Sequence, residues 1–148
     1  MKQFFICKLK HRKMVGEKEK VVTEPFLIEA YTWTEAESRV YQHAEMLGIN
    51  EFTITSIDKS KFTDVPETID FDLFYSCKIA YISVDQVNGS EKKITELILI
   101  NADSVDAAND QLKMMINSFD VDCEIKQIKE YDLTDVICYE PIKSAENE

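Results

Sequence analysis

The chain has 148 residues, of which 45% are apolar and 30% charged, and it carries a net charge of −11. This length and composition suit one globular domain, and the acidic balance opposes long-range attraction to the phosphates of nucleic acids. No apolar run approaches the roughly 20 residues needed to cross a bilayer, and the start of the chain lacks a secretory-signal pattern, so we expect a cytoplasmic protein that does not contact a membrane.

The N-terminal residues predict a β-hairpin. Residues 4–13 alternate between apolar and polar side chains, as in a strand with one buried face. Gly16 marks a turn, and residues 21–30 form the second predicted strand. Cys7 lies on the side that is expected to be buried. The basic residues on the opposite side are Lys8, Lys10 and Arg12.

A helix and a third strand follow the hairpin. Thr32 is the predicted N-cap, and Glu35 three residues later completes a capping box. Gly48 is expected to end the helix in the left-handed conformation. Residues 51–58 form the next predicted strand, where a slip in the apolar alternation predicts a bulge or a bend. The apolar stripe of the helix contains Ala36, Val40, Ala44 and Leu47.

The same pattern returns in the second half of the chain, which indicates a tandem duplication. Tyr75-Ser76-Cys77-Lys78 matches Phe5-Ile6-Cys7-Lys8, and Thr134-Asp135-Val136 repeats Thr63-Asp64-Val65. Asn88-Gly89 predicts the turn of a second hairpin. Order, spacing and apolar phase all agree between the two halves, so chance does not explain the match.

The second half also contains the matching helix and returning strand. Ser104 is the predicted N-cap, and residues 122–130 form a strand with the same slip in alternation. Residues 94–100 are apolar on both faces, so either the other copy or a second chain is expected to cover their second face. The second helical stripe contains Ala108, Leu112, Met115, Ile116 and Phe119.

These elements predict an α+β fold class, with a tandem duplication of a ββαβ unit, antiparallel-rich sheets and one helix per repeat. The third strand of each unit is expected beside the first. The predicted organisation is a single domain, 1–148, made of two repeats. The first repeat spans 4–60, the second spans 74–131, and residues 132–148 form a C-terminal extension and tail. The acidic stretch 60–74 is predicted to be a connection.

Four stretches of the chain resemble an uncharacterised family, domain of unknown function 4494, which is known from gut bacteria and their phages. They are Phe5-Ile6-Cys7-Lys8, residues 20–27, residues 34–39 and Phe52-Thr53-Ile54-Thr55. The second half is similar as well. The resemblance implies an intact domain in a bacterial or phage setting, and it implies no activity and no functional residue.

The sequence contains no recognisable catalytic motif. Its three glycines, at 16, 48 and 89, fall at turns and a helix end, which leaves none for a phosphate-binding loop or a dinucleotide fingerprint. The four cysteines are far apart and form no zinc pattern, so they are expected to be reduced, small apolar residues. We therefore expect no enzyme activity, no metal and no cofactor.

The side chains of His11, His43 and Trp33 are expected to have structural roles. His11 and His43 are expected to be structural, because the sequence places neither a nucleophile nor an orienting carboxylate beside them. Trp33, at the start of the first helix, is expected to pack in the core or as a hydrophobic staple.

The leading functional hypothesis is a non-catalytic accessory protein that acts through protein–protein contacts, as a homo-oligomer or with another protein. One alternative is single-stranded nucleic-acid binding through the basic first hairpin. A further alternative is a small-ligand or nucleotide site between the repeats or between chains. The candidate nucleic-acid-binding residues are Lys8, Lys10, Arg12 and Lys13.

Overall fold

The computed structural model describes residues 3–138, which form an α+β fold with eight strands in two four-stranded sheets and two helices. In chain order the elements are β1 (Gln3–Val15), β2 (Lys18–Ala30), α1 (Trp33–Met46), β3 (Phe52–Lys59), β4 (Phe62–Asp64), β5 (Phe74–Val84), β6 (Glu91–Asn101), α2 (Val105–Asn117), β7 (Glu124–Tyr131) and β8 (Asp135–Ile137). The described residues fall into two compact units, 3–60 with 133–138 and 61–132.

The first unit contains a sheet of strand order β3-β1-β2-β8. A two-residue turn at Gly16 and Glu17 joins β1 to β2, and Gly16 takes a positive φ of 67°, as a tight hairpin requires. Strand β3 pairs antiparallel with β1, on the side that the sequence predicts. The short strand β8 pairs parallel with β2 at the other edge.

The second unit contains a sheet of strand order β4-β6-β5-β7. Strands β5 and β6 form the hairpin, and β7 pairs antiparallel with β5. Strand β4 pairs parallel with β6. The sequence did not predict β4 or β8, because it assigned the residues of β4 to a connection and those of β8 to a C-terminal extension.

The bulges predicted in the returning strands are confirmed. The register between β1 and β3 shifts between Lys8 and Leu9 of β1. The register between β5 and β7 shifts between Lys78 and Ile79 of β5. An extra residue on the returning strand therefore bends both sheets at matching positions.

Both helices start at the predicted caps. The Thr32 hydroxyl accepts a hydrogen bond of 3.1 Å from the backbone N–H of Glu35. Ser104 accepts one of the same length from Ala107 N–H. The Glu35 carboxylate accepts from Tyr31 N–H at 3.4 Å, one residue before the N–H that a standard capping box uses.

Each helix packs against one face of its own sheet. In the first unit the helix covers Phe5, Cys7, Leu9, Phe26 and Ile28, and in the second it covers Cys77, Ile79, Ile98 and Ile100. The predicted inward residues Val40 and Leu112 are 2% and 0% exposed. Burial also extends to the opposite faces of β2 and β6, where Leu27 and Leu99 are 0% and 1% exposed.

The predicted helical stripes are wrong at their C-terminal ends. Leu47 is 54% exposed and Phe119 is 39% exposed. Leu47 is the C-cap of α1, and Phe119 lies beyond the Ser118 C-cap of α2. Both residues follow the last helical residue, and their side chains remain largely accessible to solvent.

The burial of two cysteines leads to a testable labelling pattern. Burial raises the pKa of the Cys7 thiol to about 11, with a contribution from the negative charge of Glu37, and burial raises that of Cys77 to about 11. The reactive thiolate is therefore scarce at pH 8 as well as inaccessible. We expect a thiol reagent to label both residues only at the rate at which the protein unfolds.

Cys123 provides the internal control for this experiment. Its side chain is only partly buried, so it should react in the folded protein even though burial raises its pKa as well. Peptide mass spectrometry after timed labelling locates the modified cysteines. Fast labelling of Cys7 or Cys77 in the folded protein would contradict the packing of the two cores.

Candidate functional site

The first hairpin carries the basic residues predicted from the sequence. Lys8, Lys10 and Arg12 are exposed and share the face of β1 that points away from α1. The side chains of Lys8 and Lys10 form no hydrogen bond or ion pair within residues 3–138, whereas Arg12 pairs with Glu19 at 3.2 Å. Lys13 lies on the opposite face and pairs with Glu24 at 3.2 Å. The structure therefore brings three of the four residues together.

The same hairpin extends beyond its neighbouring strands. Strand β3 pairs with β1 only as far as His11, and β8 pairs with β2 only over residues 26–28. Residues 12–21, termed here the first ribbon, are therefore two strands that pair only with each other in the described part of the chain. Residues 81–94 form the second ribbon. Strand β7 pairs with β5 only over residues 74–80 of β5, and β4 pairs with β6 only at Leu97 and Ile98.

Both ribbons expose large apolar side chains. On the first ribbon Met14, Val15 and Val21 are 60%, 46% and 52% exposed. On the second ribbon the exposed residues are Ile82, Val84 and Val87. The ribbons differ in charge, because residues 12–21 contain four cations and two carboxylates, whereas residues 81–94 contain two of each. Apolar groups concentrated at projecting hairpins are typical of protein-contact surfaces.

His11 lies buried at the base of the first ribbon, where it contacts a carboxylate that the sequence did not predict beside it. Its Nε2 lies 2.5 Å from Glu24 Oε1, and its Nδ1 lies 3.1 Å from the carbonyl oxygen of Arg12. Burial acts to raise the pKa of Glu24, but hydrogen bonds from His11 and Lys13, with their charges, outweigh it, so that the pKa is lowered.

The surroundings of His11 indicate a structural role. Both ring nitrogens lie within hydrogen-bond distance of oxygen acceptors. Neither nitrogen is left to exchange a proton with a substrate, which general acid–base catalysis requires. The ring is also only 6% exposed. This pair holds β1 and β2 together where the neighbouring strands end.

The hairpin register could have revealed this pair. A two-residue turn at positions 16 and 17 sets His11 opposite Val22, and Glu24 is then the diagonal neighbour on the same face. In the second unit Tyr81 and Glu96 occupy the corresponding diagonal positions. A hydrogen bond with Glu96 raises the pKa of Tyr81, and burial and the charge of Glu96 add to the effect.

His43 also lies beside a carboxylate that the sequence analysis did not place. Its Nε2 is 3.5 Å from Asp135 Oδ2. The geometry is not that of a hydrogen bond, and this buried nitrogen has no hydrogen-bond partner in the described residues. The ring packs edge-on against Phe26, with centroids 5.5 Å apart. His43 thus connects α1 to β2 and lies next to β8.

Trp33 departs in part from its predicted burial. It is 47% exposed, yet its ring packs edge-on against Phe5 with centroids 5.0 Å apart. The indole therefore covers the end of the first core instead of entering it. This position agrees with the expected packing role and gives no evidence of ligand recognition.

A cleft of about 650 Å³ opens beside the His11–Glu24 pair, within the first unit. Apolar side chains of Phe26, Leu47 and Ile49 contribute to its lining, together with charged groups of both signs. Its volume is in the range of small-ligand sites. However, its cations Arg12 and Lys13 are already paired with carboxylates.

Among residues 3–138 no three His, Cys, Asp or Glu side chains are grouped so as to hold a metal ion. Neither helix in this part of the chain is long and apolar enough to span a membrane.

No curated protein and no solved structure matches the chain. A family model does match, over residues 3–139: Domain of unknown function (DUF4494). The chain belongs to the DUF4494 family.

Proposed function

We propose that this DUF4494 protein is a non-catalytic accessory protein of the bacterial or phage cytoplasm that acts through protein–protein contacts and assembles with copies of itself. The observation that carries the proposal is the first ribbon, where Met14, Val15 and Val21 are exposed on strands that have no lateral partner among residues 3–138. When a partner removes exposed apolar side chains of this kind from water, the free energy of the system decreases.

Charge complementarity favours a second copy as the partner. The first ribbon, residues 12–21, contains four cations and two carboxylates, a net charge of +2, so the remaining residues carry −13. A basic ribbon on an acidic protein is attracted to other copies of that protein, and it disfavours other basic partners. The ribbon thus combines an apolar contact with an electrostatic preference.

Two further observations support the proposal. His11, the most buried ionisable group beside the cleft, has both nitrogens engaged, which favours a non-catalytic role. Cys7, Cys77 and Cys123 form no disulfide, as is usual in a reducing cytoplasm.

The equal order of hairpin, helix and antiparallel strand in the two units supports an origin by duplication of a ββαβ unit.

Sedimentation velocity over a range of protein and salt concentrations tests this function. We expect a concentration-dependent dimer or larger assembly that weakens as salt is raised, because exposed charges are screened over about 10 Å at 0.1 M salt. Replacing Met14 and Val21 with serine should abolish the assembly, since both lie on the face that carries Arg12.

The second ribbon offers a matched control. The pair Ile82→Ser and Val84→Ser removes similar apolar area from a ribbon without excess positive charge, and it should leave most of the association intact. A strict monomer at all concentrations would contradict the proposed self-assembly. Equal loss from both double variants would show that the charge of the first ribbon has no part in it.

Single-stranded nucleic-acid binding is the second candidate, and the unpaired, exposed Lys8 and Lys10 favour it. The residues directly opposite Lys10 on the neighbouring strands are Thr23 and Thr53. A cleft of about 630 Å³ that Lys10 helps to line also contains the aromatic side chains of Tyr41 and Phe52, on which a base could stack. A gel-shift signal that is lost on replacing Lys8 and Lys10 with glutamate would support this function instead.

A further inference from the structure

Two short strands are arranged crosswise along the chain. Strand β4 follows β3 after two residues but belongs to the second unit, where it pairs with β6. Strand β8 follows β7 after three residues but belongs to the first unit, where it pairs with β2. Each sheet is therefore completed by the strand that comes after the other unit's helix and returning strand.

Each short strand places an aspartate at a corresponding position of its acceptor strand. Asp135 pairs with Phe26 and Asp64 pairs with Ile98, which are corresponding positions in β2 and β6. Each aspartate accepts a hydrogen bond from the following N–H, from Val136 at 2.8 Å and from Val65 at 2.9 Å. Both aspartates lie within a Thr-Asp-Val sequence, although β4 itself comprises Phe62–Asp64 and β8 comprises Asp135–Ile137.

The preceding threonines donate to corresponding carbonyl oxygens through different groups. Thr134 N–H donates to the carbonyl oxygen of Pro25 at 2.8 Å, and the Thr63 hydroxyl donates to that of Leu97 at 3.2 Å. Pro25 and Leu97 are the residues just before Phe26 and Ile98. A Thr-Asp-Val sequence therefore meets corresponding positions of both acceptor edges, although β8 pairs from Asp135 onward and β4 pairs through Phe62 and Asp64.

We propose that the β2 edge at residues 26–28 also accepts β8 from a second copy of this chain, which gives a strand-exchanged assembly. This inference deepens the proposed self-assembly by naming the donor and the acceptor. The donor strand pairs over only three residues. Its release therefore breaks few interactions compared with global unfolding.

Exchange replaces each lost contact with the same contact from another copy, so its equilibrium depends mainly on concentration and on the connection that precedes the strand. That connection contains the buried Leu133, which must be released and reburied in the partner. We therefore expect exchange to be slow and to increase with protein concentration.

Disulfide trapping between two different single variants tests the exchange. One protein carries Pro25→Cys and the other carries Thr134→Cys, both with Cys123→Ser and Cys138→Ser to remove the less buried thiols. These two positions are adjacent across the parallel pair, where Thr134 N–H donates to the carbonyl oxygen of Pro25 at 2.8 Å. Neither variant can form this bond within its own chain, so a covalent heterodimer reports β8 of one copy on β2 of another.

After prolonged incubation of the mixture at high concentration, we expect about tenfold more heterodimer than from a control mixture that pairs Pro25→Cys with Met114→Cys. Met114 is a suitable control because it is exposed on α2, outside the proposed contact. A second pair, Leu27→Cys with Val136→Cys, repeats the test at the next positions on the same face. It covers the case in which Pro25→Cys disturbs the edge.

Heterodimer yields at the control level from both folded pairs would overturn the exchange. Repeating the experiment in high salt with the Met14→Ser, Val21→Ser ribbon variant separates the two assembly hypotheses. Heterodimer formation without ribbon-dependent association would support exchange and contradict the ribbon contact. Ribbon-dependent association without heterodimer would support the ribbon contact and contradict exchange.

Discussion

Replacing Leu112 with alanine is expected to lower the free energy of unfolding by about 2–5 kcal/mol, the range for a buried leucine whose removal leaves a cavity. Leu112 is 0% exposed and lies in the second core against Cys77, Ile98 and Ile100. The sheet beneath it is fixed by backbone hydrogen bonds on both sides, so it cannot collapse far into the space. Urea denaturation followed by circular dichroism measures the change.

Met114 provides the control on the same helix. It is 75% exposed, so Met114→Ala should change the free energy of unfolding by less than about 0.5 kcal/mol. A loss of well under 1 kcal/mol for Leu112→Ala, on the scale of core truncations, would show that this helical stripe does not face the sheet.

Replacing Asn101 with alanine is expected to cost about 2–4 kcal/mol through unsatisfied hydrogen bonds. Its Oδ1 accepts from Asp70 N–H and Phe71 N–H at 2.7 and 2.9 Å. Its Nδ2 donates to the carbonyl oxygens of Phe71 and Leu73 at 2.8 and 2.9 Å. One 5% exposed side chain thus holds the segment before β5 against the end of β6. The expected cost is below the sum for four groups, because this segment lies at the surface and can bind water.

Asn101→Asp separates the two halves of this arrangement. The aspartate keeps an acceptor for the two N–H groups but loses the donors to the two carbonyls, and it buries a charge. We expect it to be destabilising at neutral pH and less so when the carboxyl group is protonated. Asn117→Ala, at the exposed end of α2, serves as the control. Equal stabilities of Asn101→Ala and the control would contradict the bonding role of Asn101.

Much of each unit could be predicted from the sequence, because its signals are local. Alternation predicts the strands, the caps Thr32 and Ser104 predict the helix starts, and a slip in alternation predicts the bulges of β3 and β7. These features depend on residues that are close together in the chain. The apolar period fails only where the helices end, at Leu47 and Phe119.

Strands β4 and β8 could not be predicted in the same way. A three-residue strand is too short to show alternation, and β8 pairs with residues more than 100 positions earlier in the chain. The carboxylates beside the two histidines were missed for related reasons. Glu24 follows from the hairpin register, whereas Asp135 reaches His43 only through the unpredicted pairing of β8.

The position of β8 also determines when the first unit can be completed during synthesis. When residue 60 is added, the ribosome has already synthesised β1, α1 and β3. The sheet of the first unit nevertheless remains incomplete until Asp135–Ile137 are synthesised. At ~5–20 residues per second, the intervening residues take roughly 4–15 s to synthesise. Throughout that interval the β2 edge is open on a nascent chain. The N-terminal unit is thus the last to close, and neighbouring ribosomes on one message hold such open edges at high local concentration.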